Sequence, residues 1–199
     1  DFTWNVNANV SYNKNEITEL YNGITEYVAS DTGRMVAVGH PLGEFYLNRY
    51  AGVNPTNGDA LWYTKDGEIT TEYNESDKVM LGKTHEAPWQ GGFGTTLSWQ
   101  GFSLSAQFTW VADRWMLNND RVFQESNGLF SAYNQSKRML YDRWKKPGDV
   151  TDIPRYGVTP QLDSRFLEDA SFLRLKNLML SYTFPQKWLQ RTNFLSSAR

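Results

Sequence analysis

Two pairs of carboxylates, Asp149 with Asp152 and Glu168 with Asp169, are the side chains best suited by type to acid–base chemistry. A glycosidase needs one carboxyl to protonate the leaving oxygen and a second, at a set separation across the sugar, to attack or to activate water. Nothing in either spacing implies that arrangement. Asp149 closes the run Lys146-Pro147-Gly148-Asp149, which is turn chemistry, and Glu168-Asp169 stands where a strand begins. Asn54, Asn57 and Asp59 carry oxygens of the kind calcium takes, but they lack the spacing and terminal glutamate of an EF-hand loop, so a turn is expected. With no cysteine and only His40 and His85, disulfides, thiolate sites and His-rich metal centres are excluded. No Ser/His/Asp grouping has a motif context, and neither a glycine-rich phosphate loop nor an HExxH string occurs. The expectation is a protein that is not an enzyme and uses neither metal nor cofactor.

Aromatic faces remain, and these can stack on sugar rings. Trp62, Trp89, Trp115 and Trp144 stand outside the most regular segments. Trp89 directly precedes one such segment and Trp115 directly follows another, where an interfacial girdle residue would sit. Trp144 lies in a turn-rich string that it could pack itself. Trp62, Trp115 and Trp144 are the candidates for substrate contact. Arg114 and Arg121 read as solvated charges.

The elements that must position these side chains are strands. In residues 2–13 every even position, Phe2, Trp4, Val6, Ala8, Val10 and Tyr12, is apolar or aromatic, and every odd one is polar and uncharged. A period of two is a strand with one greasy and one wet face. Asparagine is depleted in soluble strands, so Asn5, Asn7 and Asn9 make better sense lining a water-filled lumen while the greasy face meets lipid. The run reaches the ~9–11 residues a tilted strand needs to cross the hydrocarbon core. An amphipathic strand of a soluble sandwich is the competing reading at this point.

The same alternation recurs twice. Phe93, Thr95, Leu97 and Trp99 share one face, and after Gln100-Gly101 the pattern resumes with Phe102, Leu104, Ala106, Phe108, Trp110 and Ala112. Ser98, Ser103, Ser105, Gln107 and Thr109 fall on the other face. A two-residue break ending in glycine between alternating runs predicts a hairpin. From about 170 to 184, Leu178, Leu180, Tyr182 and Phe184 are in phase, but Leu173 and Leu175 are not, and a bulge near Lys176-Asn177 would reconcile them. Pro185 ends the run. Between the strands lie long non-periodic stretches, about 21–89 and 113–169. In the second a short helix is predicted, with Tyr133, Leu140, Tyr141 and Trp144 on one side and Pro147 beyond its end.

Loops this long are rare in compact soluble domains, whereas long outer loops alternating with tight periplasmic turns are the asymmetry of outer-membrane barrels. With Gln100-Gly101 on the periplasmic side, strands near 2–13 and 102–112 run outward and those near 91–99 and 170–184 run inward. Composition agrees: aromatics reach 15% against a mean hydropathy of −0.61, and no apolar run approaches the ~18 residues of a membrane helix. A formal charge of −2 over 199 residues argues against a nucleic-acid partner. Asp1 opens directly into the first strand with no signal peptide, and the chain stops after Ser196-Ser197-Ala198-Arg199. Both ends read as cut. Four strands cannot close a barrel, whose smallest bacterial forms use about eight. The fold class is therefore all-β: an antiparallel transmembrane β-barrel segment with long extracellular loops, not expected to form a stable barrel alone. The polar lining falls to Asn5, Asn7, Asn9, Ser103, Ser105 and Gln107.

Several strings carry a family resemblance. Residues 143–155, Arg-Trp-Lys-Lys-Pro-Gly-Asp-Val-Thr-Asp-Ile-Pro-Arg, resemble the "RW…PGDxTDIPR" stretch of SusC/RagA-type TonB-dependent outer-membrane transporters. Residues 164–178 resemble the family's "SRWLEDASFLRLKN" signature, with Phe166 where tryptophan is common, and residues 180–185 its "LxYTFP" ending. Residues 39–46 and 51–59 are similar to its "GxPLGxFY" and "AGVDPxTGD" loops, with Asn54 and Asn57 departing mildly. The resemblance covers nearly the whole chain in the right order. It implies about four strands of a late, C-terminal part of a barrel with about 22 strands and a plugged lumen, with the plug domain absent from these residues. It also implies import of oligosaccharides or peptides, energy drawn through the TonB complex by way of the missing plug, a SusD-like surface lipoprotein as lid, and outer-membrane lipid around the wall. The rival is a soluble or surface carbohydrate-binding β-module without transport.

Overall fold

The computed structural model describes residues 1–29, 33–130 and 132–189, so the terminal Ser196-Ser197-Ala198-Arg199 string lies outside the described residues. In chain order the strands are β1 (Phe2–Tyr12), β2 (Glu26–Ala29), β3 (Arg34–Ala37), β4 (Glu44–Leu47), β5 (Arg49–Val53), β6 (Ala60–Tyr63), β7 (Ile69–Thr70), β8 (Val79–Thr84), β9 (Trp89–Trp99), β10 (Phe102–Ala112) and β11 (Trp115–Leu117). Short helices α1 (Asn119–Gln124) and α2 (Arg138–Tyr141) follow, then β12 (Leu167–Asp169), β13 (Phe172–Tyr182) and α3 (Gln186–Leu189). They divide between two units, one of residues 1–13, 87–113 and 171–199, the other of 14–86 and 114–170.

The first unit is an antiparallel sheet in the order β1-β9-β10-β13, each strand 11 residues long. The registers carry the greasy face straight across: Trp4 opposes Leu97, which opposes Leu104, which opposes Leu180. Gln100 and Gly101 both have positive φ, 49° and 88°, and form the predicted two-residue hairpin. The expected bulge is present. Gln107 pairs with Asn177 and the next residue, Phe108, with Leu175, so Lys176 is the extra residue and both halves of β13 present leucines to one face. Strand ends Tyr12, Trp89, Ala112 and the start of β13 lie together at one end of the sheet, opposite the hairpin.

The second unit differs from the structureless loops expected. Residues 14–86 hold a sheet in the order β2-β3-β4-β8 and another in the order β5-β6-β7, and 114–170 contribute the β11-β12 pair. These strands have two to six residues, too few for alternation to show. Their core is Phe45, Leu47 and Leu167, with Leu81, Trp115, Leu117 and Leu162 packed against it. The predicted helix is also corrected. α2 has four residues, buries Met139 and exposes Leu140 and Tyr141, while Tyr133 and Trp144 lie outside it. The chain leaves the helix because the Thr151 hydroxyl binds the Asp142 carbonyl and the Trp144 N–H donates to the Ile153 carbonyl at 3.0 Å. α1, which caps itself through the Asn118 side chain, had no periodic signal.

Candidate functional site

The polar face of the four-stranded sheet is built in rows across the strands. Thr3, Ser98, Ser103 and Ser181 form one, Asn5, Thr96, Ser105 and Met179 the next, then Asn7, Gly94, Gln107 and Asn177, then Asn9, Gly92, Thr109 and Arg174. All six lining candidates, Asn5, Asn7, Asn9, Ser103, Ser105 and Gln107, are thus on one face. Hydroxyls pair across strands, Thr96 with Ser105 at 3.1 Å and Ser98 with Ser103 at 3.2 Å. The asparagines lie over glycines. A side chain at Gly94 would meet the Asn7 Oδ1 at 2.9 Å, and the Gly92 N–H donates to the Asn9 Oδ1 at 3.1 Å. Such a face can hydrate a solute through many weak amide and hydroxyl bonds, but it converges on no single point.

The opposite face is greasy and uncovered. Phe2, Trp4 and Val6 remain 65%, 64% and 60% exposed, far beyond what a water-facing strand tolerates in a contiguous patch. Its aromatics collect at the two ends. Phe2, Trp4, Trp99, Phe102 and Tyr182 stand at the hairpin end, while Tyr12, Trp89 and Trp110 stand at the other, with Tyr12 and Trp89 rings 4.4 Å apart. Valine, alanine and leucine fill most of the middle, with Thr95 and the stacked Phe93 and Phe108 rings, 4.7 Å apart, among them. Trp4 gives its indole N–H to the Thr95 hydroxyl at 2.8 Å, which removes an unpaired donor from a hydrocarbon-facing surface. Two aromatic belts around an aliphatic band are the signature of a membrane wall.

The other sequence candidates fall in the second unit and pack within it. Trp62 is only 5% exposed, donates to the Asp163 carboxylate at 2.8 Å and meets Tyr50 and Tyr73 edge-on. Trp115 is half-buried under the Lys83 ammonium, 3.4 Å from its ring. Trp144 lies where a side chain at Gly58 would have to go, with its indole N–H on the Pro55 carbonyl at 3.2 Å. The acidic candidates are also occupied. Asp149 accepts the backbone N–H groups of Lys145 and Lys146, and Asn57 bonds Asp59. Among the described residues no cluster of three or more His, Asp or Glu side chains could hold a metal.

No family model matches the chain, but individual proteins do. It is 26% identical to TonB-dependent receptor P3 of Formosa agariphila, over 96% of this chain and 21% of that protein. It is 24% identical to TonB-dependent receptor SusC of Bacteroides thetaiotaomicron, over 96% of this chain and 20% of that one. Among solved structures it superposes on the RagAB peptide transporter with a TM-score of 0.90 and 36% identity, over 99% of this chain and 22% of that chain. The chain corresponds to part of a SusC/RagA-type TonB-dependent receptor. It spans about a fifth of the length of the curated relatives it matches.

That SusC/RagA-type assignment places the wall in the outer membrane of a Gram-negative bacterium and in a family of transporters, not enzymes. It also explains the motif strings, which dock on one another. Arg155 pairs with Asp59 at 2.9 Å, its N–H reaches the Gly58 carbonyl at 2.8 Å, and the Gly148 N–H reaches Pro55 at 2.8 Å. A chain of alternating charges, Glu168–Arg121–Glu125–Arg138–Asp152, runs through the unit with contacts of 2.6–3.1 Å. Arg121 is therefore a structural cation, where the sequence suggested a solvated one. Glu125, 2% exposed, is the buried centre of this charge chain; its partners Arg121 and Arg138 lie 4 and 13 residues away, and no sequence pattern singled it out. The Arg121 hydrogen bond holds Glu168 below the usual carboxylate range. Burial pushes Asp152 up, but the Arg138 bonds and charge overrule it and hold it low. For Asp163 burial wins, pushing its carboxyl up despite the Trp62 bond and the Arg165 charge and backbone N–H.

Proposed function

We propose that these residues form four strands of the wall, and two extracellular loops, of a barrel of about 22 strands that actively imports oligosaccharides or peptides. Energy reaches it from the inner membrane through TonB, and a SusD-like surface lipoprotein closes the outer mouth. The solute is captured under that lid, a plug in the lumen is displaced by TonB pulling, and the solute passes along the Asn/Ser/Gln face. Asn5, Asn7, Asn9, Ser103, Ser105 and Gln107 hydrate it on the way without holding it tightly. Likeness to SusC-type receptors and to a peptide transporter supports this reading.

The observation that carries it is the two-faced sheet, whose exposed apolar face gathers aromatics at both ends. A soluble carbohydrate-binding module would bury Phe2, Trp4 and Val6, which here are exposed. The test is cysteine labelling of the full-length protein in outer membranes, made simpler by a stretch with no cysteine of its own. Asn7→Cys is expected to react with a water-soluble maleimide and Val6→Cys only with a lipid-soluble one. Equal reaction of both with the water-soluble reagent would sink the wall assignment.

A further inference from the structure

Resting on that reading, we propose that the row Asn9–Gly92–Thr109–Arg174 is a subsite for the carboxylate of the transported solute, which makes the cargo a carboxylate-bearing one such as a peptide or an acidic sugar. Three strands of the polar face, β1, β9 and β10, carry no charged residue. Arg174 breaks that neutrality. Its register partner is Thr109, so its guanidinium stands on the polar face. It has no ion-pair partner among the described residues; instead it is stacked 4.7 Å from the Phe172 ring. Stacking engages the flat face of a guanidinium and leaves its N–H edge free, and that edge is the geometry that grips a carboxylate with two parallel bonds.

The neighbours in the row complete the subsite. The Thr109 hydroxyl is buried and has no hydrogen-bond partner, an orphan that a ligand oxygen beside Arg174 would satisfy. Gly92, between Thr109 and Asn9, carries no side chain, and the Asn9 amide leans over it, 3.8–3.9 Å from where a Cβ would stand, which brings that amide toward the Thr109 side of the row. Asn9 spends its Oδ1 on the Gly92 N–H, which leaves its Nδ2 as a further donor. The row is the second from the end of the sheet opposite the hairpin, which in the proposed orientation is the outer mouth.

The experiment is equilibrium binding to the full-length protein in detergent, with a tryptic peptide mixture, the same mixture methyl-esterified, and a neutral dextrin mixture as probes. The wild type is expected to prefer free acids over esters by about tenfold, the value of one charge-assisted contact. Arg174→Gln should erase that preference, Arg174→Lys should keep part of it, and Thr109→Val should reduce it. Equal binding of acids and esters by the wild type, or binding of dextrin alone, would overturn the subsite and leave the transporter reading standing. If Arg174→Gln weakened acids and esters alike, the guanidinium would serve a carboxylate of the protein itself, and the proposal would fall. Binding of no probe by an assembled barrel would remove the proposal and count against transport as well.

Discussion

At the scale of single residues, the second unit concentrates its stability in few buried polar groups. Glu125 accepts from both Arg121 and Arg138. Glu125→Ala leaves two arginines facing an empty site and should destabilise this unit by about 3 kcal/mol, the low end for a broken buried pair, since each arginine keeps another acid. Limited proteolysis of residues 114–170 in the full-length protein would register it. Asp163 makes the opposite prediction. Its charge is buried at a cost, so Asp163→Asn, which still accepts from Trp62 and from the Arg165 N–H, should change stability by less than about 1 kcal/mol. Asp163→Leu strands both donors and should cost about 1–3 kcal/mol. The acid response follows from the lowered groups. Glu168 and Asp152 titrate below their unfolded values, so their contribution is complete above about pH 4 and is lost as pH falls through their folded values. Asp163, raised, works against that loss, because its protonation relieves a buried charge. Hydrogen exchange in this unit, corrected for intrinsic rates, should therefore rise below about pH 4, and more slowly in the wild type than in Asp163→Asn.

At the scale of elements, what was legible in the sequence divides by strand length. The four strands of the sheet were readable because 11 residues give five or six alternations, and a phase break within such a run, as at Lys176, is itself informative. The strands of the second unit were not, since a four-residue strand such as Glu44–Leu47 buries three of its positions and shows no period. Nor could spacing show that Trp62 is a buried packing residue, because Asp163, its partner, is 101 residues away. The bulge yields a direct test. Deleting Lys176 alone removes the extra residue and leaves every side chain on its present face, whereas deleting Lys176 and Asn177 together pairs Gln107 with Leu175 and Phe108 with Arg174, which turns every side chain from Phe172 to Leu175 to the other face and Arg174 into lipid. A cation on the lipid face costs about 2–4 kcal/mol at the midplane and less near the interface. The double deletion should lower the fraction of heat-modifiable, folded barrel in the outer membrane, and deleting Lys176 alone should not.

At the scale of the whole molecule, the proposed wall has one sheet dividing two solvents, and substitutions should respect that division. Val6→Arg puts a charge against hydrocarbon and should reduce assembled protein, whereas Asn7→Arg, one residue along and facing water, should assemble normally; quantitative blotting of outer-membrane fractions compares them. A last consequence belongs to the order of events during assembly. β9 and β10 are joined by two residues and can zip at once, but Tyr12 must find Trp89 across 76 intervening positions, which costs about 3 kcal/mol more in closure entropy than the hairpin by length scaling. The second unit would remove most of that cost if it folded first, because the sheets within residues 14–86 shorten the path between the two strands. On the proposed reading, residues 14–86 would act as the timing element of the wall, bringing Tyr12 and Trp89 together before lipid-facing strands pair. Chains whose second unit is slow to form should stall as a two-strand hairpin with open edges, and pulse proteolysis during refolding should find that hairpin before the four-strand sheet.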